Sequence, residues 1–255
     1  MQQSSIEQGR YFLKDSVRKE VDFLGTDQSL GVAPPPVEKA YSADAERIAL
    51  IPPAEFETLP GMDLLAAIRN RRSRRRFGKA PFTLKELSFL LWATQGVQGQ
   101  LGAGHVRRTV PSAGARHALE TYLCVLNVKG LDIGFYRYLP VEHQLLIEYR
   151  DRRAGERITW AALRQNWMSG AAAVFVWSAI PYRMEWRYGL AAHKVILLDA
   201  GHVCQNLYLA GEAIGAGTCA VAAYDQELMD QLLKIDGKDE FVIYLAAVGK
   251  VNRSG

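Results

Sequence analysis

Cysteine is nearly absent from this chain of 255 residues: Cys124, Cys204 and Cys219 stand alone, each among apolar neighbours. An odd number without CxxC spacing excludes a disulfide framework and a cysteine-based zinc site, and fits a reducing cytoplasm. The histidines, His105, His117, His143, His193 and His202, fall at no metal-binding spacing, so no metal is expected. Long hydrophobic runs are missing too. The longest, Gly170 to Ile180, is about half of the roughly 20 residues a spanning helix needs, which excludes a membrane segment. The first twenty residues mix Lys, Arg, Asp and Glu with no apolar stretch, so no secretory leader is expected. There is no internal repeat or low-complexity tract. Charge of either sign is not in large excess: 31 Lys and Arg against 27 Asp and Glu give +4. An apolar share of 49% excludes disorder as the dominant state and supplies a core that needs no disulfide support.

Proline is unevenly spread. Six of the ten lie between Pro34 and Pro60, where no periodicity persists, so residues 1–60 read as an extended arm poor in regular structure. A short helix around Gln8–Leu24 precedes it. A disordered leader is the alternative; Tyr11, Phe12, Phe23 and Phe56 favour an arm packed across the body or a partner subunit. From residue 61 the chain is regular. Asp63–Arg69 reads as a helix. Thr83 and Glu86 form a capping box for a helix over 84–95. A Gly-rich loop, Gly96 to Gly104, follows. Strands are expected at Leu119–Val128, at Gly134–Leu139 and Gln144–Tyr149 as a hairpin, at Ala172–Ile180, at Thr218–Val221 and at Phe241–Val248. Lys194–Ile214 carries an almost continuous apolar load, the mark of a helix buried on most sides, with His202 as a core residue. Gln226–Leu233 is a further helix. The fold class is α+β.

Three pieces carry chemistry. Arg69, Arg71, Arg72, Arg74, Arg75 and Arg76 place six arginines in eight positions around Ser73. A solvated charge run and a nucleic-acid contact both fit such a cluster. The remaining chain has no cationic excess, however, and a focused set of guanidinium forks suits a single phosphate better than a polyanion. Pro111-Ser112-Ala113-Gly114-Ala115 is either a surface turn or a place where small residues let the backbone approach a flat ligand. Gly215-Ala216-Gly217 follows a helix instead of opening one, so it is no dinucleotide fingerprint. Gly215 fits a helix terminator, and Gly217 marks a close approach.

Together, Arg71-Arg72-Ser73-Arg74-Arg75-Arg76-Phe77, Pro111-Ser112-Ala113-Gly114-Ala115, Gly201-His202-Val203-Cys204-Gln205-Asn206-Leu207 leading to Gly215-Ala216-Gly217, and Ala247-Val248-Gly249-Lys250 resemble the nitroreductase superfamily. The SagB/ThcOx-type dehydrogenase branch is the most similar, and the likeness runs from about Met62 to the C-terminus. It implies a nitroreductase-like fold, a mainly antiparallel sheet flanked by helices, in an interlocked homodimer with FMN at the interface. By motif, Arg71, Arg72, Ser73 and Arg75 would hold the FMN phosphate and ribityl chain, with Arg74 facing solvent. Pro111, Ser112, Ala113 and Gly114 of the other subunit would line the ring. Gly215 and Gly217 would flank the flavin, and Lys250 with Arg253 would complete the phosphate contacts.

The branch carries a Lys-Tyr-Gly motif where this chain reads Arg187-Tyr188-Gly189. Tyr188 can exchange a proton. Arg187 cannot act as a general base, but it can stabilise an anion. Arg108 is the candidate cation beside the pyrimidine edge of the flavin. Trp160, Trp167, Tyr182 and Trp186 are either packing or, for the last three, the wall of a substrate pocket. The implied activity is ping-pong hydride transfer from NADH or NADPH through FMN to a small organic acceptor. The alternatives are an azoline dehydrogenase that acts on a peptide and is reoxidised by O2, and a non-catalytic FMN-binding or sensing protein.

Overall fold

A computed structural model describes residues 2–102 and 105–252. Its helices are α1 (Gln2–Leu13), α2 (Leu64–Asn70), α3 (Leu84–Gln95), α4 (Ala154–Ala161), α5 (Tyr182–Tyr188), α6 (Ala192–Ala213) and α7 (Gln226–Leu233). The strands are β1 (Arg47–Ala49), β2 (Val97–Gly102), β3 (His105–Arg108), β4 (Leu119–Val125), β5 (Gly134–Leu139), β6 (Gln144–Arg150), β7 (Ala173–Ala179), β8 (Ala216–Val221) and β9 (Phe241–Lys250). Seven of them form one sheet in the order β1-β6-β5-β4-β7-β9-β8, and every neighbouring pair is antiparallel. The fold is α+β, as the sequence implied.

Both faces of the sheet are covered. On one, Leu119, Leu123, Phe175 and Trp177 pack under α3 and α6; on the other, Cys124, Val174 and Val176 pack under α4 and α7. That explains why β4 and β7 are buried at every position: β7 reads as an almost continuous apolar run, and β4 carries Glu120 and Thr121 inside the core. The capping box forms as expected: Thr83 Oγ1 accepts the Glu86 N–H at 3.2 Å, and Glu86 Oε2 accepts the Thr83 N–H at 2.9 Å.

Three expectations need correction. Residues 97–102 are not a loop. β2 pairs with β3 in a two-stranded ribbon, with register shifts beside Gly99 and Gly102 where the ladder bulges; residues 103–104 lie outside the described residues. His202 is exposed, because α6 turns Val203, Cys204 and Leu207 inward and leaves its neighbour on the outer face. The segment before residue 61 contributes β1 to the edge of the sheet beside β6. Phe56 stacks edge-on against Phe89 and Trp92, whereas Tyr11, Phe12 and Phe23 stay exposed, and α1 ends at Leu13.

Residues 32–40 form an extended strap bound through its carbonyls. Pro34, Pro35 and Pro36 have no N–H to pair in a ladder. Buried side chains supply the donors instead. Trp186 Nε1 donates to the Val32 carbonyl at 3.0 Å, Arg108 Nη2 to Val37 at 2.7 Å, and Arg137 to Lys39 and Ala40 at 2.9 and 3.1 Å. Glu120 accepts the Lys39 N–H at 2.9 Å and pairs with Arg183 at 2.6 Å, both carboxylate and guanidinium being almost fully buried. Such charges persist in a core only because nearly every donor and acceptor is used.

Candidate functional site

The arginine cluster begins where α2 stops. After Arg71 the chain runs extended beside β8: Ser73 forms a parallel bridge with Thr218, the Arg74 N–H donates to the Thr218 carbonyl at 2.9 Å, and the Gly78 N–H to that of Lys250 at 2.7 Å. This register alternates the side chains. Arg74 turns inward, its Nε 3.8 Å from Glu212 Oε1 on α6, so it is not the solvent-facing member of the set. A Cβ on Gly217 would lie 2.5 Å from Arg74 Cδ and 2.6 Å from Val251 Cγ1. The close approach read from the sequence is therefore made by the chain's own Arg74. Arg72, Ser73, Arg75 and Arg76 are exposed and Arg71 is half-buried. Arg71 lies over the Tyr208 ring at 5.3 Å and Arg75 over Trp167 at 5.8 Å. No carboxylate among the described residues pairs with Arg71, Arg72 or Arg75.

Tyr208 organises this end. Its hydroxyl accepts the Ala220 N–H at 2.8 Å and lies 2.9 Å from Ser73 Oγ, so it can donate to Ser73 and leave the Ser73 proton for an anion. Gly215 takes φ +68° as the α6 terminator, with open space where a Cβ would sit. Lys250 stands beside it, but its ammonium is engaged by Glu86 and donates to the Ile214 carbonyl at 2.8 Å, capping the C-terminus of α6. Arg253 lies outside the described residues.

A second group gathers nearer the start of α6. Ser112, Ala113, Gly114 and Ala115 form a half-buried turn, with Pro111 exposed ahead of it and φ of +59° at Gly114 and +53° at Ala115. A Cβ on Gly114 would lie 2.7 Å from Tyr188 Oη and 3.1 Å from Arg187 Nε. Within one chain, then, the turn and the Arg187-Tyr188 pair meet. Asp199 of α6 lies behind the turn; burial raises its carboxyl pKa against the lowering pull of the nearby Ser112 hydroxyl and Ala113 N–H, and its Oδ2 has no hydrogen-bond partner among the described residues. Arg116 lies over the Trp186 ring at 4.6 Å, and burial followed by the charges of Arg187 and Arg183 lowers its pKa. The Arg187 guanidinium, half-buried beside Tyr188, thus sits in a strongly cationic corner.

Arg108 belongs to neither group. It is buried, with Nη1 donating to Gln95 Oε1 at 2.9 Å and Nη2 to the strap, and burial pushes its pKa down to about 10. Trp186 is also committed to the strap, and Tyr182 donates to Asp27 at 2.6 Å. Trp167 borders the arginine cluster through Arg75 and Phe77.

The two groups stand at Tyr208 and at Asp199 along α6, about 13 Å apart at 1.5 Å per residue. The outer face of the molecule beside them is apolar: Leu197 and Leu198 of α6 are 47% and 54% exposed, and Leu64, Leu65 and Ile68 of α2 are each more than half exposed. The expected burial of α6 on most sides is therefore incomplete in the single chain. Asp199, Tyr208 and Glu212 were not singled out from the sequence. The one signal for them was polar residues interrupting an otherwise apolar helix.

The cluster fits a phosphate and the turn fits a flat ring. The first offers guanidinium donors without carboxylate partners, the Ser73 hydroxyl set by Tyr208 and open space at Gly215; the second offers small residues with a phenol and a cation beside them. Among the described residues no group of side chains fits a metal, and no helix is long and apolar enough to cross a membrane.

The nitroreductase family model matches residues 68–250. A candidate nitroreductase of Methanocaldococcus jannaschii is 36% identical over 180 residues, covering 71% of this chain and 87% of its own length. The microcin B17-processing protein McbC of Escherichia coli is 24% identical over 161 residues, 58% of this chain and 56% of its own. Among solved structures, a candidate nitroreductase from Ralstonia eutropha superposes with a TM-score of 0.67 at 25% identity, over 86% of this chain and 99% of that one. An NADPH:FMN oxidoreductase from Vibrio harveyi, in complex with NAD+, shares the fold at a TM-score of 0.51 and 16% identity, over 74% of this chain and 69% of that one.

Proposed function

The chain belongs to the nitroreductase family, and from that premise we propose that it is an FMN-dependent oxidoreductase that works as a homodimer with flavin bound between the subunits. Bound FMN would supply hydride chemistry between NADH or NADPH and a small organic acceptor. The observation that carries this reading is the separation of two half-sites along α6, one suited to phosphate and one to a flat ring, beside an exposed apolar face. A second copy covering that face would bring the Pro111–Gly114 turn of one chain to the arginine cluster of the other.

In this arrangement Arg71, Arg72 and Arg75 bind the phosphate through charge-assisted hydrogen bonds, and Ser73 donates its proton to it. Gly215 keeps the backbone open to the ligand and Arg253 supplies further positive charge, whereas the space at Gly217 is filled by Arg74 and Lys250, paired with Glu86, acts by bracing the end of α6. Pro111, Ser112, Ala113 and Gly114 exclude water from the ring and hold it flat. Tyr188, placed by its contact with Gly114, gives or takes the proton that accompanies hydride transfer. Arg187 stabilises negative charge at the same place. Arg108 acts at a distance: it braces β3 against the strap and leaves the flavin to Arg187.

A second reading, oxidation of an azoline in a peptide, draws support from the likeness to the microcin-processing protein. It asks Arg187 to stand where that chemistry uses a lysine base, and that weighs against it. The deciding experiment is the visible spectrum of the purified protein, with the released chromophore identified by mass, followed by anaerobic titration with NADH and NADPH. FMN in a one-to-one ratio, bleached by either nucleotide, supports the reading. A colourless protein that takes up no added FMN overturns it.

A further inference from the structure

On the face of the sheet away from α6, a cleft of about 1390 Å³ opens between α4, α7 and the end of β6. It is larger than the roughly 300–1,000 Å³ of ordinary small-ligand pockets, and the half-sites described above have no part in it. Its floor is apolar, formed by Ala161, Leu228 and Leu232. Trp160 stands 54% exposed on its wall, with the Arg164 guanidinium stacked on one ring face at 4.5 Å. Packing of α4 on the sheet does not account for so exposed an indole.

The charges of the cleft are unbalanced in a specific way. Arg150 is neutralised by Glu46 and Asp132, and Arg157 by Asp151. Arg153, Arg164 and Lys234 are exposed cleft residues with no ion pair among the described residues, and Glu156 is the one carboxylate left unpaired among those lining the cleft. Arg164 and Lys234 both take left-handed backbone conformations, φ +61° and +56°, which turn their side chains at the ends of α4 and α7. Lys234 Nζ lies over the Tyr149 ring at 4.2 Å. Three cations without a carboxylate partner among the described residues, two of them resting on aromatic rings, and an apolar floor make a surface for a ligand that is anionic and apolar at once.

We infer that this cleft binds an acidic peptide segment, its carboxylates on Arg153, Arg164 and Lys234 and an apolar or aromatic side chain on the free face of Trp160. A nucleic acid fits less well, because with Arg150 and Arg157 already neutralised the cleft offers three cations to a continuous row of phosphates, and the apolar floor offers nothing to a sugar backbone. The inference is independent of the flavin reading, since the cleft and α6 lie on opposite faces of the sheet.

The test is fluorescence anisotropy with the full chain and a fluorescein-labelled peptide of alternating Glu and Leu with one central Tyr. Saturable binding is expected, weakened at high salt, and weakened about tenfold or more in the Arg153→Gln/Arg164→Gln/Lys234→Gln variant. These side chains are exposed, so far-ultraviolet circular dichroism and melting should match the parent. Trp160→Phe should weaken binding less than the triple variant and abolish the quenching that bound peptide produces. The inference is overturned if binding does not saturate, if the Lys-for-Glu version of the peptide binds equally, if the triple variant binds as the parent does, or if a single-stranded RNA of similar length binds more tightly.

Discussion

The hydroxyl of Tyr188 lies 2.7 Å from the place a Cβ on Gly114 would occupy, so the phenol and the glycine are fitted to each other within one chain. Gly114→Ala adds a methyl there and also forces an alanine to φ +59°. It should lower stability by about 1–2 kcal/mol and turnover at least tenfold. Tyr188→Phe removes the atom in the way. In that background Gly114→Ala should destabilise measurably less, a coupling that a double-mutant cycle in urea reads directly. Simple additivity would separate the two residues.

Arg71, Arg72 and Arg75 differ from Arg74 in kind. Each of the first three replaced by Ala should weaken FMN binding about 10- to 100-fold, the equivalent of one charge-assisted hydrogen bond at about 1.5–3 kcal/mol, with the melting temperature of the flavin-free protein little changed. Arg74→Ala should do the reverse, lowering that melting temperature by loosening the contact with Glu212 while FMN affinity changes less. Equilibrium dialysis and calorimetry on the same four variants decide it.

Arg108→Met strands the Val37 carbonyl and Gln95 Oε1 in the interior. A loss of about 2–4 kcal/mol is expected from two abandoned partners of a buried charge. The flavin midpoint potential should stay where it is. A shift in potential without loss of stability would return Arg108 to the flavin.

Glu38 makes the strap pH-sensitive. Its carboxyl is pushed up to about 7 from 4.5, first by burial and then by Glu142 and Glu120, against the pull of the Val141 N–H that donates to it. The folded state therefore holds this proton more tightly than the unfolded chain does. Stability conferred by the protonated carboxyl is present below about 4.5 and is lost as pH rises through about 7. Glu38 is only partly buried, so the effect should be about 1 kcal/mol. Melting curves at several pH values across that window should fall more steeply for the parent than for Glu38→Gln, and equal slopes would contradict the assignment.

Much of this architecture is legible because its signals are local. The Thr83–Glu86 box, the β5–β6 hairpin and the Asp225-capped helix α7 are written within a few residues of where they act. Long-range partnerships are not. Nothing near Val37 announces that its carbonyl will meet Arg108, 71 residues on. The apolar load of α6 reads as burial on most sides because Leu197 and Leu198 look the same whether they face this chain or another. Arg74 shows the limit within a motif: six arginines look alike in sequence, and the bridge of Ser73 to Thr218 decides which one turns inward. The ribbon of β2 and β3 was hidden by its glycines, which mark bulges as readily as loops.

The strap between Val32 and Ala40 is held by what every amino acid shares, the carbonyl, and at Lys39 the N–H as well, while its binding partners are anchored in α5, β3, β4 and β5. Such a clasp is strict about length and blind to side-chain identity at most positions. The exceptions are Glu38, which accepts from the Val141 N–H, and Lys39, whose ammonium meets Glu240 and the Tyr122 hydroxyl. Many substitutions along it should pass unnoticed among relatives, but one residue inserted or removed would slide each carbonyl away from a donor that cannot follow. Apart from Glu38 and Lys39, the segment should drift freely in spelling while keeping its count.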